Sequence, residues 1–333
     1  MTIDFKHRQT AHCESGVVAN LLTHNGLPLS EPMAFGLGQG LFFGYFPFIR
    51  LNYLPLTTFR VPAGFIIKKA TKALGVSLSA KKYRDPATAM AELDQMLDQS
   101  IPVGVQASVY WLSYIPKAFR FHFNGHNLVV YGRKGDEYLI SDPVMPFPTT
   151  CSREDLARAR FAKGPLAPKG KMYYFESAKS GGIANDIVRQ AVHGTAKSMV
   201  KSPFPLIGVK GVRFLAGRLL KWPQKLTNED LLMHLSQIIR MQEEIGTGGG
   251  GFRFLYSAYL QECAEQLADD RFADFAEQLT ASGDRWRDFA VIAARICKGR
   301  AREEDTFPAM AEILRDCADI EEKMFAEMYE YTK

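Results

Sequence analysis

The sequence predicts an α+β fold followed by a domain built from helices alone. Three observations predict it. A helical pattern opens on Cys13, short β-rich runs at 103–107, 127–132 and 137–141 are separated by turn residues, and only helical periodicity continues beyond Gly182. The 333 residues, 47% hydrophobic and 23% charged, suit two globular domains and not a disordered chain.

Taken in order, Cys13 to His24 reads as a helix with Val17, Val18, Leu21 and Leu22 on its apolar side, ended by the turn Asn25-Gly26. Ser30 and Glu31 give the start signals of a second helix, which ends at the glycine-rich turn Gly36-Leu37-Gly38-Gln39-Gly40. Helices are expected at 63–74 and 86–99. The period then changes. Strands are expected at 103–107, 127–132 and 137–141, the last two joined through Arg133-Lys134-Gly135-Asp136, with a closing strand at 171–175. The polar stretch 176–182 reads as the boundary between a catalytic domain (residues 1–176) and a helical domain (177–333) expected to pack over the cleft. Helices in that second part are expected at 228–243, 252–268, 271–283, 286–297 and 306–331.

The start of the chain lacks an apolar signal segment. The richest apolar run, 40–49, is about half of a bilayer span and contains Pro47, so no transmembrane helix is expected. Five scattered cysteines (Cys13, Cys151, Cys263, Cys297, Cys317) without a CxxC pair point to reduced thiols in the cytoplasm and to no metal site. The net charge of +5 is unevenly spread. Between Lys197 and Lys225 there is no Asp or Glu, while Lys210, Arg213 and Lys221 are interleaved with Phe204, Phe214 and Trp222. Such a face meets phosphate, anionic lipid or an acidic protein, or is simply solvated; no nucleic-acid partner is expected. The run Gly246-Thr247-Gly248-Gly249-Gly250-Gly251 lacks the Gly-Lys-Ser/Thr ending of a nucleotide loop and reads as a flexible loop opening the next helix.

The chemistry centres on Cys13. At the first turn of a helix, unpaired N–H groups and the helix dipole favour a thiolate. His126 opens one strand and Asp142 ends the next. In a hairpin those two ends are neighbours, so the acid can fix the imidazole tautomer and leave the other ring nitrogen to the thiol. Each residue alone has an ordinary reading: a small buried thiol, a strand-end histidine, an Asp-Pro turn. Their joint order argues for a nucleophilic site.

On His12-Cys13-Glu14-Ser15, Asn20-Leu21-Leu22, the stretch 26–31, the stretch 35–41, Gly125-His126-Asn127 and Ser141-Asp142-Pro143, the chain resembles papain-like cysteine enzymes and, among them, the butirosin-biosynthesis protein H family. The resemblance covers residues 1–175, and 246–253 with 256–264 resemble the helical domain that often follows. It implies a papain-like catalytic domain that moves an acyl group from the phosphopantetheine thioester of an acidic acyl carrier protein to a small-molecule amine, in specialised-metabolite or lipid biosynthesis. No other cofactor is implied. By position Cys13 would be acylated, His126 would shuttle the proton and Asp142 would orient it. Gln9 and the Cys13 backbone N–H are the expected oxyanion donors, although His7 holds the more usual spacing, and His12 and Glu14 would flank the site as supports. Gly36, Gly38, Gly40, Phe42 and Phe43 would line an acyl groove or belong to ordinary core. Lys210, Arg213 and Lys221 are the candidate carrier-protein docking surface, for which an anionic membrane competes. A cysteine hydrolase (thioesterase or peptidase) using water with the same triad, and a non-catalytic acyl-binding scaffold, are the alternatives.

Overall fold

A computed structural model describes residues 2–51, 53–177 and 182–333. In chain order the main elements are α1 (Cys13–His24), α2 (Glu31–Leu37), β1 (Leu41–Leu51), β2 (Leu54–Arg60), α3 (Phe65–Ala73), β3 (Ser77–Lys81), α4 (Pro86–Asp98), β4 (Val103–Ala107), β5 (His126–Lys134), β6 (Glu137–Ser141), β7 (Thr149–Ser152), α5 (Arg153–Arg160), β8 (Met172–Ser177), α6 (Asn185–Val200), α7 (Gly208–Leu219), α8 (Trp222–Lys225), α9 (Asn228–Ile239), α10 (Arg253–Leu267), α11 (Arg271–Cys297) and α12 (Phe307–Tyr331). They form two compact units: Met1–Ala34 with Ile66–Gly182, and Phe35–Phe65 with Ile183–Lys333.

The first unit is a six-stranded antiparallel sheet in the order β3-β8-β4-β5-β6-β7, with α1 packed on β5. Val17, Val18, Leu21 and Leu22 of α1 are fully buried, and each stabilises the fold by roughly 1.5–3 kcal/mol relative to exposure. A separate apolar cluster joins Leu93 and Leu97 of α4 and Leu156 of α5 to Val105, Leu128, Val130 and Ile140 of the sheet. Helix α4 starts where Asp85 accepts a hydrogen bond from Thr88 N (2.7 Å) and Pro86 occupies the first turn. The hairpin expected between the histidine and aspartate strands is present, with Val129 opposite Ser141 and Val130 opposite Ile140. Strands β3 and β7 are short sheet edges of five and four residues, too brief for a period to stand out in sequence.

The described residues 183–333 are helical as expected, but the second unit holds more than that stretch. It combines helices α6 to α12 with the antiparallel β1–β2 hairpin, so residues 35–65, read as part of the catalytic domain, cluster with the later helices. The cause is aromatic packing. Phe35 stacks on Phe252 (5.1 Å between rings), and Phe43 and Phe59 pack on Trp286 (5.7 and 5.3 Å). The hairpin escapes a period-two reading because β1 carries Gly44 and Pro47 and its register slips between Phe46 and Arg50.

The two helices expected at 271–283 and 286–297 are one continuous helix, α11. Gly283 permits close approach there: a Cβ on it would lie 2.8 Å from Phe254 Cε1 and 3.3 Å from Arg253 Cβ. The end of the glycine run is packed against side chains. Gly249, Gly250 and Gly251 are buried at φ 89°, 56° and 59°, and a Cβ on Gly251 would meet Phe59 Cδ1 at 2.3 Å. Behind it, the fully buried Arg253 and Glu321 pair at 2.9 Å, and Glu321 Oε1 also accepts from Ser282 Oγ (2.7 Å) and Trp286 Nε1 (3.0 Å). Of the expected linker 176–182, residues 178–181 lie outside the described residues.

Candidate active site

The turn that presents Cys13 is built by its neighbours. His12 is the extended N-cap residue of α1, and its Nδ1 accepts from Ser15 N (3.4 Å). The Glu31 carboxylate accepts from Ala11 N (2.9 Å), His12 N (2.7 Å) and Ser15 Oγ (3.2 Å), clamping the chain just before the cysteine. Burial raises the Glu31 pKa even though these donors favour its anion. Gly16 lets the helix start approach the segment after β6: a Cβ there would sit 2.0 Å from Thr10 Oγ1 and 2.8 Å from Pro143 Cβ. Thr10 N donates to Pro143 O (2.6 Å), closing that contact. Cys13 itself is 7% exposed.

His126 begins β5 opposite Ala107 of β4, and Asp142 follows the last residue of β6. The strand pairing brings them together as the sequence reading requires. His126 Nε2 lies 2.7 Å from Asp142 Oδ2, and both residues are buried. The carboxylate also accepts from Tyr114 Oη (2.8 Å) at Oδ2 and from Val144 N (3.2 Å) at Oδ1. Burial alone would lower the His126 pKa; the charge and hydrogen bond of Asp142, then the hydrogen bond and charge of Cys13, outweigh it and raise it well above the ordinary value. Burial would likewise raise Asp142, but its imidazole partner, Tyr114 and the Val144 N–H hold it below the usual carboxylate range. With Nε2 given to the acid, Nδ1 is the ring nitrogen left for the thiol. Chemically, such an arrangement can supply a nucleophile, a proton carrier and an anchor for that carrier.

The other thiols lack this setting. Burial pushes Cys151 and Cys263 up to about 12, and Cys317 further, so they remain protonated and inert.

The expected supports divide. Gln9 is exposed and makes no hydrogen bond among the described residues, whereas the Cys13 N–H, in the first turn of α1, has no acceptor among them. His7 is engaged: its Nε2 donates to Met145 O (3.1 Å) and its Nδ1 accepts from Ser141 Oγ (2.8 Å), bracing the loop beyond β6. Glu14 is fully buried and accepts from Ile67 N (3.2 Å), so it caps α3. The acyl-groove reading is corrected. Phe43 is fully buried in the second unit, Gly36, Gly38 and Gly40 are buried there, and a Cβ on Gly36 would collide with the Tyr259 ring at 2.2 Å; only Phe42 is half-exposed.

The docking patch changes too. Arg213 is paired with Asp319 (2.5 Å) and Glu322 (2.7 Å) and Lys210 donates to Ser202 O (3.1 Å), while Lys221 is exposed. A stretch with no acid in sequence has acids beside it in space. Among the described residues no three His, Cys, Asp or Glu side chains converge as metal ligands, and no helix is long and apolar enough to cross a membrane.

Sequence reading missed Tyr114, Gly16 and Glu31 as parts of the site. Glu31 gave a signal only as a helix-start acid; Tyr114 and Gly16 gave none. Tyr114→Phe is expected to lower stability by about 1 kcal/mol, because Asp142 keeps its histidine and backbone partners, and urea unfolding checks this. Glu31→Ala is expected to cost about 1–3 kcal/mol in all for the partly buried donors left unmet at Ala11 and His12, with Glu31→Gln milder because one acceptor oxygen remains. Thermal unfolding of the two variants side by side reads the difference.

Residues 12–143 match the family model described as Butirosin biosynthesis protein H, N-terminal, a span that runs from the N-cap of α1 to one residue beyond Asp142. Residues 154–328 match a Domain of unknown function (DUF4872). Among solved structures, a C39-like peptidase from Bacillus anthracis is similar at 15% identity and a TM-score of 0.38, over 54% of this chain and 98% of that one. No curated protein matches the chain.

Proposed function

Because the chain belongs to the family in which the butirosin biosynthesis protein H N-terminal domain is followed by DUF4872, we propose that it is a cysteine acyltransferase that takes an acyl group from a carrier-protein thioester and gives it to an amine. The observation that supports the reading is Cys13 at a helix start beside a buried His126–Asp142 pair. In the first half-reaction the Cys13 thiolate attacks the thioester carbonyl. The oxyanion is received by the Cys13 N–H, the carbon–sulfur bond to pantetheine breaks, and the departing thiolate takes the proton from the His126 imidazolium. In the second, the amine attacks the acyl-cysteine, His126 Nδ1 takes the amine proton, and the amide leaves as the Cys13 thiolate returns. Asp142 stays ionised throughout and holds the ring.

An acidic carrier protein is the proposed acyl donor, and Lys221 with its neighbours on α7 is one surface for it. A cytoplasmic setting belongs to the same proposal, in keeping with five free cysteines. The test is intact-mass spectrometry after incubation with a panel of acylated carrier proteins, followed by an amine mixture. One acyl mass on the protein that amines discharge as amide is expected. Discharge by water alone to the free acid would make the protein a hydrolase, and the absence of any adduct across the panel would leave a binding scaffold.

A further inference from the structure

The first unit holds a concavity of about 490 Å³ that the mechanism does not use. Its charged lining is Arg84, Lys163 and Lys169, its aromatic walls are Tyr83 and Phe161, and no acidic side chain lines it. The nearby acids are occupied: Asp85 caps α4 through Thr88 N (2.7 Å), and Glu92 takes Lys81 (2.7 Å). The three cations are exposed and have no acidic partner among the described residues, so their field is not neutralised locally.

The walls are firmly held. Tyr83 N donates to Lys169 O (2.9 Å), joining the two sides. The fully buried Arg160 donates to Gly170 O (2.9 Å) and Ala89 O (3.2 Å), tying the loop before β8 to α4. Leu166 (φ 57°) and Lys169 (φ 52°) occupy the left-handed region, a conformation that side-chain-bearing residues keep only where the surroundings impose it. The rim is also anchored beside the catalytic histidine. Asn124 Nδ2 donates to Lys163 O (3.1 Å) and Pro165 O (2.9 Å), and Asn124, two residues before His126, lies within roughly 7 Å of it by chain length.

We propose that this concavity is a phosphate-binding site adjoining the active site. A guanidinium can grip phosphate oxygens in pairs, and two ammonium groups add charge around the same anion. Resting on the acyl-thioester reading, the occupant is the phosphate of the pantetheine arm, whose adjoining dimethyl carbon suits the walls Tyr83 and Phe161. The arm then runs from this anchor toward Cys13.

Calorimetric titration of the full chain with pantetheine and with 4′-phosphopantetheine, at low salt, tests the site without any acyl transfer. Phosphopantetheine is expected to bind about tenfold or more tightly than pantetheine, and Arg84→Gln/Lys163→Gln/Lys169→Gln should erase that advantage while leaving pantetheine affinity unchanged. Should the triple variant fold poorly, Lys163→Gln alone should reduce the advantage severalfold. Equal affinity of the two ligands for the native protein, including no binding by either, overturns the site, as does an advantage that survives in the variants. Whether Cys13 is acylated is decided separately by the mass experiment, so failure of one is distinguishable from failure of the other.

Discussion

Cys13→Ala is expected to abolish the covalent acyl adduct completely and with it all amide formation. Three of the four remaining thiols are buried and held protonated, and the fourth, Cys297, closes α11 instead of opening a helix. Cys151 and Cys263 titrate only at about 12, Cys317 is pushed higher by the same burial, and none of the three has the helix-start position and adjacent imidazole of Cys13. The substitution removes a sulfur from a 7%-exposed position and keeps the Cβ, so the fold should survive with a small cavity cost of about 1 kcal/mol. Intact mass before and after exposure to an acyl donor measures the effect. An acyl mass retained in Cys13→Ala would sink the assignment of the nucleophile.

His126→Ala should fold yet lose roughly two to four orders of magnitude in turnover, because both half-reactions pass a proton through the ring. Asp142→Asn should be less severe than loss of the nucleophile. The amide preserves the packing but presents a donor or a weaker acceptor to Nε2, so the ring loses its preferred tautomer and its counter-charge. The pH dependence follows from the same pair. His126 is raised above its ordinary 6.5, so its contribution to stability is complete below that value and is lost as pH rises through the folded value. Asp142 is lowered below 3.8, so its contribution is complete above that value and is lost as pH falls through the folded one. The native protein should therefore gain most from the pair between the two ordinary values and lose that gain on either side. Urea unfolding as a function of pH should show this dome in the native protein and a flatter curve in Asp142→Asn. Identical pH profiles for the two proteins would mean that the pair is not ionised as described.

The candidate trio was legible for a local reason. The helix of Cys13, the strand of His126 and the strand ending before Asp142 are each written in short-range patterns, and a tight hairpin leaves one choice for how the two strand ends meet. Helix α1 runs over the residues its apolar spacing marks, Cys13–His24. Reading failed where a residue's partner lies far along the chain. Nothing near Tyr114 announces Asp142, and nothing near Glu31 announces the backbone of Ala11 and His12. The glycines misled for the same reason, since a run that looks flexible in sequence is pinned by Phe59, Phe254 and Arg287.

The sequence by itself determined the α+β character of the first unit, the helices of the second and the choice of Cys13, His126 and Asp142 as candidate groups, because period and turn chemistry act over a few residues. Tertiary structure alone decided that 35–65 join the later helices, that Arg213 spends its charge on Asp319 and Glu322, and that Arg84, Lys163 and Lys169 gather in one concavity. Those outcomes depend on which distant side chains share a small volume, where burial and Coulomb energy are set by distance in space rather than by separation along the chain.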